Sequence, residues 1–315
     1  MADTLDIIEV KNLSISYARG KKSINNCSFT VKKGQVFGLL GFNGAGKSTI
    51  IKTLCGIIKD YEGEIIICGK QMKNDTEEVM TEVNYVPQHN CMFDDFTVLE
   101  NLKFFCEMEG VNWEKNKKII KELLGFFYLE RFKDIKAGKL SGGYRQLLNI
   151  ALSMLKDKRV VVMDEPTAGL DLWAKKKVVG YIEKLKKEEK TVIITTHDLK
   201  EAEEICDTVL IISEGRILTN GNMTDLLKKF GGEYSIKITL GRTLKIRFPT
   251  LKFSRLIKQT NEHVTLSATQ EGIGLAIREL VTALEVMNVN IIDIHVVEPS
   301  LNAVFSNIGL DGVEK

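Results

Sequence analysis

The chain has 315 residues, of which 44% are hydrophobic and 27% charged, a composition that excludes a disordered or fibrous protein. Its 44 lysines and arginines nearly balance 42 aspartates and glutamates, so no strongly basic surface for nucleic acid is expected. No apolar run approaches the roughly 18–20 residues that cross a bilayer, and the length favours two domains over one.

The start of the chain carries Asp3 and Asp6 and no apolar core. We therefore expect neither a secretory signal nor an Arg-rich transit peptide. The six cysteines form no CxxC pair, and most lie in apolar segments, as small core residues of a reducing compartment do.

Short β-like segments alternate with one helical segment in the first part of the chain. Apolar and β-branched runs predict strands at residues 7–16, 27–31, 35–40 and 64–68. Residues 48–58 carry apolar side chains at helical spacing. This alternation indicates an α/β protein.

Helical patterns dominate from Thr97 to about residue 155, which predicts an inserted helical lobe over about residues 89–158. It opens with a capping box, in which the Thr97 hydroxyl and the Glu100 carboxylate satisfy free amides. The apolar residues just before it, Met92, Phe93 and Phe96, form either an exposed docking groove or part of the core.

Residues 160–163 and 192–195 are uninterrupted apolar and β-branched runs, typical of parallel strands buried on both faces. The helical spacing of residues 172–190 between them completes a β–α–β unit. After residue 230, two adjacent glycines interrupt the pattern, and we place a domain boundary there, between residues 1–230 and 231–315. Beyond it, strand patterns occupy residues 233–240, 243–248, 263–268 and 290–297. A helix with one apolar face, over residues 273–287, completes a small C-terminal α/β domain.

The strongest motif is a glycine-rich loop between a predicted strand and a predicted helix. It reads Gly41-Phe42-Asn43-Gly44-Ala45-Gly46-Lys47-Ser48-Thr49. Glycines let successive N–H groups surround a phosphate, and the helix start adds its positive end. Lys47 is expected to bridge the β- and γ-phosphates of a nucleotide, and Ser48 to bind Mg²⁺. The strand and helix on either side argue against a chance turn.

Two carboxylates, Asp164 and Glu165, end the strand predicted at residues 160–163. In open parallel sheets ligands bind at the carboxyl ends of strands, so both should lie beside the phosphate loop. Asp164 then suits the Mg²⁺ shell, and Glu165 is placed to polarise a water for attack on the γ-phosphate. Without the loop, such a pair is commonly a solvated turn.

A second anion-binding helix start is predicted at Ser141, Gly142 and Gly143. Ser141 is a good N-cap, and the two glycines leave amides bare. The alternative is an ordinary capped helix. One nucleotide needs only one phosphate loop. A second phosphate-binding helix start in the same chain therefore indicates a nucleotide shared between two chains.

Taken together, about residues 5–225 resemble the ATP-binding cassettes of ABC-type ATPases. The motifs that carry the resemblance are the phosphate loop, Tyr85-Val86-Pro87-Gln88, Leu140-Ser141-Gly142-Gly143-Tyr144-Arg145-Gln146, Asp164-Glu165-Pro166-Thr167, Ala168-Gly169-Leu170-Asp171 and Thr196-His197-Asp198. The resemblance implies a P-loop NTPase fold with a RecA-like core, an N-terminal antiparallel β lobe and the helical lobe. In that family two cassettes close head to tail, and each ATP lies between the phosphate loop of one and the LSGG helix of the other.

The resemblance also implies roles for single residues. Tyr17 resembles the aromatic that stacks on adenine, or is an ordinary strand-end tyrosine. Gln88 resembles the glutamine that reaches Mg²⁺ and the attacking water, or is a surface polar residue. His197 resembles the histidine that contacts the γ-phosphate, or is a core histidine. Asp171 resembles the aspartate that links the two sites of a dimer, or is a helix N-cap.

The C-terminal sequence resembles a tail found after the cassette in exporters of drugs, lipids or polysaccharides whose permease is a separate polypeptide. It reads Glu298-Pro299-Ser300-Leu301-Asn302-Ala303-Val304-Phe305. Asn302 replaces the acidic residue usual there, and a generic α/β appendage is the alternative reading.

The implied function is that of an ATPase subunit that binds ATP and Mg²⁺. Its expected partner is a second cassette, and we expect that cassette to be a copy of this chain. The subunit would drive export through an integral membrane permease, from the cytoplasmic face of the cell membrane and without nucleic acid. The alternative is a soluble ABC ATPase that acts on chromosomes or ribosomes. The segment between Lys47 and Ser141 is too short for a long coiled coil and has no heptads, which favours transport.

Overall fold

The computed structural model describes residues 6–16, 22–241, 249–260 and 262–310. The chain divides into two compact units, Met1–Met223 and Thr224–Lys315, and each has its own cluster of buried apolar side chains. In the described part of the chain, none of the helices has the length and apolar character needed to cross a membrane.

The first unit contains ten described strands. In chain order they are β1 (Asp6–Ser16), β2 (Lys22–Lys32), β3 (Val36–Leu40), β4 (Glu62–Ile67), β5 (Lys70–Gln71), β6 (Val83–Val86), β7 (Val160–Asp164), β8 (Thr191–Thr196), β9 (Thr208–Ser213) and β10 (Arg216–Asn222). Its helices are α1 (Lys47–Leu54), α2 (Thr76–Met80), α3 (Val98–Met108), α4 (Trp113–Phe126), α5 (Gly142–Ser153), α6 (Leu172–Lys187) and α7 (Leu199–Ile205).

The larger sheet has the order β10-β9-β3-β8-β7-β6 and is parallel except for β10. Strands β3, β7 and β8 are buried along their whole length, as expected for apolar runs covered on both faces. Parallel strands end at one edge of a sheet, so the segments after β3, β6, β7 and β8 meet there. This edge carries the predicted site.

A smaller antiparallel sheet, with the order β2-β1-β4-β5, shares its core with the larger one. Ile8 and Ile65 of this sheet belong to the same buried cluster as Ile50 of α1 and Phe37 of β3. Burying a side chain of this size stabilises a fold by about 1.5–3 kcal/mol. The cluster thereby fixes α1 and the loop before it between the two sheets.

The helix predicted over residues 48–58 is wrong at its end. Helix α1 ends at Leu54, and Gly56 adopts a φ of +66°. This left-handed conformation is typical of the residue just after a helix, and it turns the chain away from the helix axis.

The helical lobe consists of α3, α4 and α5 with two short 3₁₀ turns, Glu130–Phe132 and Ala137–Lys139. The predicted capping box is confirmed, because the amide of Glu100 donates to Thr97 Oγ1 over 3.1 Å and that of Thr97 to Glu100 Oε2 over 2.7 Å. Helix α3 therefore begins where the sequence indicates.

The second unit is an antiparallel sheet with one long helix on it. Its elements are α8 (Met223–Phe230), which begins at the last residue of the first unit, β11 (Tyr234–Leu240), β12 (Arg255–Gln259), β13 (His263–Ala268), α9 (Ile273–Val286), β14 (Ile291–Val297) and α10 (Leu301–Phe305). The strand order is β12-β13-β11-β14, and Ile236 and Leu266 pack with Leu280 and Leu284 of α9. The strand predicted at residues 243–248 lies outside the described residues, and β12 was not predicted.

Candidate functional site

The phosphate loop connects β3 to α1, and Lys47 is the first residue of that helix. Its side chain is buried, and Nζ donates to the carbonyls of Gly41 over 2.6 Å and Phe42 over 3.3 Å. Glu165 Oε1 lies 3.8 Å from the same Nζ. Burial lowers the pKa of Lys47, and the carboxylates of Glu165 and Asp164 oppose this shift. The loop thus points a lysine ammonium at its own centre.

Asp164 at the end of β7 is fixed by two hydroxyls. Ser48 Oγ donates to its Oδ1 over 3.3 Å and Thr195 Oγ1 donates to the same atom over 2.6 Å. The oxygens of Ser48 and Asp164 therefore converge on one point, and oxygens are the ligands that Mg²⁺ prefers. Thr195 was not predicted, and its only signal in the sequence is a pair of threonines at the end of an apolar strand.

Glu165 is held in a backbone conformation that is rare for a residue with a side chain. Its φ is +49°, its amide donates to Thr195 Oγ1 over 2.8 Å, and its Oε2 lies 2.7 Å from His197 Nδ1. Such left-handed residues cost about 1–3 kcal/mol and cluster at functional sites. The histidine and the threonine, both from the end of β8, thereby orient the carboxylate that follows β7.

Of the residues described above, Lys47, Ser48 and Glu165 line one cavity of about 250 Å³. Its lining consists of Ser23, Phe42, Asn43, Gly44, Gly46, Lys47, Ser48, Thr49, Gln88 and Glu165. The exposed Gln88, from the segment after β6, is thus brought to the phosphate loop. Ser23, whose Oγ lies 3.2 Å from Thr49 Oγ1, was not predicted. Two other residues of the phosphate loop make contacts within it. The carbonyl of Gly41 accepts the hydrogen bond from Lys47 Nζ, and the amide of Ala45 donates to Phe42 O over 3.1 Å.

A second group of predicted residues lies away from that lining. Ser141 is the N-cap residue of α5, but its side chain makes no capping hydrogen bond, and both it and Gly142 are exposed. Asp171 does cap its helix, because its Oδ1 accepts from the amide of Ala174 over 2.8 Å. A Cβ placed on Gly143 would lie 3.6 Å from Asp171 Oδ2, so the starts of α5 and α6 are neighbours. Tyr17 lies outside the described residues.

An aromatic cluster marks the start of the helical lobe. Phe93 packs against Phe96, Phe104 and Phe105, and Phe93 and Phe96 are 46% and 37% exposed. Met92, by contrast, is buried, so of the two alternatives it belongs to the core. The result is a partly exposed aromatic surface just after the Gln88 segment.

Three comparisons place the chain among known proteins. A family model described as ABC transporter matches residues 24–168. The linearmycin resistance ATP-binding protein LnrL of Bacillus subtilis (strain 168) is 31% identical over 311 residues, which cover 96% of this chain and 98% of that protein. The Nod factor export ATP-binding protein I of Burkholderia orbicola (strain AU 1054) is 38% identical over 214 residues, 68% of this chain and 70% of that protein. Among solved structures, a dimeric ATP-binding cassette in a post-hydrolysis state, bound to ADP and Pi, matches with a TM-score of 0.62 and 25% identity over 69% of this chain and 98% of that one.

Proposed function

The chain belongs to the ABC transporter family as an ATP-binding subunit, and from this premise we propose that it hydrolyses ATP with Mg²⁺ in a dimer that drives export through a separate membrane permease. The observation that carries the proposal is the Glu165–His197 hydrogen bond beside the Lys47 loop. It puts an oriented carboxylate at the lining of the cavity that the glycine-rich loop forms.

We assign the steps of hydrolysis to the residues around that cavity. The loop amides and Lys47 bind the phosphates, and Glu165, oriented by His197, accepts the proton of the attacking water. The oxygens of Ser48, Asp164 and Gln88 are the donors we assign to Mg²⁺, which when bound would neutralise charge on the β- and γ-phosphates. Tyr17 remains our candidate for stacking on adenine.

Replacing Glu165 by glutamine tests this proposal. We expect Glu165→Gln to lower steady-state ATP turnover about 10²–10⁴-fold, because the amide cannot take up the proton of the attacking water. ATP affinity should stay unchanged, since the phosphate-binding amides and Lys47 remain.

Glu189→Gln is a matched control. Glu189 also has a left-handed backbone, with a φ of +57°, but its side chain is exposed and pairs only loosely with Lys33. Equal turnover in the Glu165 variant and in this control, measured by phosphate release, would contradict the assignment.

A second copy of the cassette is the partner we propose for the exposed start of α5. The amides of Gly142 and Gly143 in the first turn of α5 and the hydroxyl of Ser141, which makes no capping hydrogen bond, suit the γ-phosphate of an ATP held by another chain. The solved cassette reported above is a dimer, which supports this arrangement. Asp171, beside Gly143, would then lie at the interface between the two sites.

The aromatic cluster of Phe93, Phe96, Phe104 and Phe105 is our candidate surface for the permease, which would hold the subunit at the cytoplasmic face of the membrane. Buried Asn101 fixes this surface, because its Nδ2 donates to the carbonyls of Phe93 and Thr97 over 3.0 Å. Export as the direction follows the relative named for Nod factor export. The alternative of a soluble ATPase without a transport partner finds no support among the relatives.

Co-purification tests the docking surface. We expect Phe93→Ser to weaken recovery of an integral membrane protein with the tagged chain from detergent-solubilised membranes, because the apolar contact is lost. Phe253→Ser removes a phenylalanine of the second unit that is 38% exposed and should leave recovery unchanged. Equal recovery with both variants would count against the cluster as the docking site.

A further inference from the structure

Helix α5 buries two amide side chains in an otherwise apolar segment. Every residue from Gln146 to Leu152 is buried, and Asn149 has no exposed surface at all. A buried amide destabilises a helix unless it finds hydrogen-bond partners. These two side chains find theirs outside the helix.

Each amide holds one of the two segments that carry Gln88 and Glu165. Gln146 Nε2 donates to the carbonyl of Pro166, the residue after Glu165, over 3.2 Å. Asn149 Nδ2 donates to the carbonyl of Pro87 over 3.0 Å, and its Oδ1 accepts from the amide of Cys91 over 3.2 Å. Asn149 therefore clamps the Gln88 segment on both sides.

We propose that Gln146 and Asn149 are positioning residues that couple the two ATP sites of the dimer. The proposal rests on the function proposed above, in which the Ser141 end of α5 contacts the ATP of the partner. When that contact moves α5, the two amides move the Glu165 and Gln88 segments of the same chain. Each chain would then align its own catalytic groups only when it has engaged the nucleotide of its neighbour.

The argument depends on the geometry of one helix. Ser141 is the N-cap residue of α5, while Gln146 and Asn149 lie about one and two turns further along the helix. A helix of this length moves as a rigid body over such a short distance, so a shift at its start reaches both amides. The hydrogen bonds to Pro166 and to the Gln88 segment then transmit the shift without any contact between ATP and the amides themselves.

Hydrogen exchange of the 315-residue chain tests the two contacts separately and needs no nucleotide. Asn149→Leu keeps the side-chain shape, and we expect backbone exchange in residues 88–92 to become about tenfold faster because the clamp is lost. Gln146→Met should accelerate exchange in residues 167–170 and leave the Gln88 segment unchanged. Ser153→Ala, which removes only a hydrogen bond to the carbonyl of Asn149 within α5, should change neither segment.

Coupling is measured in the Glu165→Gln background. We expect ATP and Mg²⁺ to slow exchange in residues 88–92 of that variant, and Asn149→Leu to remove this protection although ATP still binds. In the chain with native Glu165, both amide variants should lower kcat about tenfold and change nucleotide affinity by less than about twofold.

The outcomes separate the two proposals. Unchanged local exchange in both amide variants, exchange that rises equally over the whole first unit, or ATP protection that survives Asn149→Leu would overturn the coupling. If the local exchange changes as expected but the native chain neither hydrolyses ATP nor dimerises, the contacts stand and the proposed function fails, and the coupling fails with it.

Discussion

Gly46 is a position of the phosphate loop where the backbone conformation and the neighbouring atoms disfavour any residue with a side chain. Its φ is +111°, and a Cβ there would lie 2.5 Å from Ile24 Cδ1. We expect Gly46→Ala to lower the free energy of unfolding by about 1–3 kcal/mol and to weaken ATP binding, since the loop amides would turn away from the phosphates. Urea denaturation and nucleotide titration measure both effects.

Gly125→Ala is the control for that substitution. Gly125 lies inside α4, its φ is not positive, and a Cβ there would meet nothing within 4 Å. Alanine should therefore raise stability by about 0.5–1 kcal/mol. If both alanine variants shift the urea midpoint in the same direction, backbone strain at Gly46 is not what limits the loop.

At the scale of single residues, the sequence predicted those that a motif defines by spacing. The structure brings Lys47, Ser48, Asp164 and Glu165 together, as the spacing of the motifs predicts, and their roles in phosphate binding and hydrolysis stay predictions. Thr195 was missed because its role depends on where β8 lies beside β7, and strand neighbours cannot be read from local pattern. The absence of a capping hydrogen bond from Ser141 was missed for another reason, since propensity predicts which residue caps a helix and not whether its side chain makes the hydrogen bond.

At the scale of elements, the start of α7 offers a pH-dependent test. Asp198 Oδ1 accepts from the amides of Lys200 and Glu201, and its Oδ2 lies 2.5 Å from Lys175 Nζ. The hydrogen bond from Lys175 lowers the pKa of Asp198. Because the folded-state pKa lies below the unfolded one, the pair stabilises the fold above the unfolded pKa, and this stabilisation is lost as the pH falls through the folded-state pKa.

Two substitutions of Asp198 separate the contribution of its charge to stability from the contribution of its helix cap. Asp198→Asn keeps an acceptor for the helix amides, so we expect it to cost less than about 1 kcal/mol at neutral pH and nothing once Asp198 is protonated. Asp198→Ala also removes the cap and should cost about 1 kcal/mol more. Urea midpoints measured from neutral to acidic pH check this, and a constant difference between Asn and wild type would contradict the ion pair.

Strongly periodic elements were predicted well, and weakly patterned ones were not. The buried runs of β7 and β8 and the helix between them are confirmed, because strands covered on both faces need continuous apolar sequence. Strand β12 has only five residues, of which the two apolar ones, Leu256 and Ile257, are adjacent, and it lies at a sheet edge. Such a pattern is too short to distinguish from a loop. The end of α1 was wrong because apolar spacing continues past Gly56 although the helix does not.

At the scale of the whole molecule, the sequence predicted a cassette followed by a smaller α/β unit, with the boundary between residues 230 and 231. The structure divides the chain earlier, between Met223 and Thr224, because almost all of α8 groups with the second unit. The strand order that joins β9 to β3, and so assembles the site edge, could not be predicted because it depends on contacts distant in sequence. The apolar face of α9 was predicted, and it covers the second sheet. Any role of the second unit in transport is part of the proposed export function.

A shared nucleotide requires the serine at the start of α5 to act on the ATP of the other chain. Sedimentation of Glu165→Gln with ATP and Mg²⁺, with and without Ser141→Arg, tests this directly. We expect the single variant to sediment as a dimer and the double variant as a monomer that still binds ATP with the affinity of the single one. A double variant that dimerises as well as the single one, or a monomer that has lost its ATP affinity, would show that Ser141 does not act between chains.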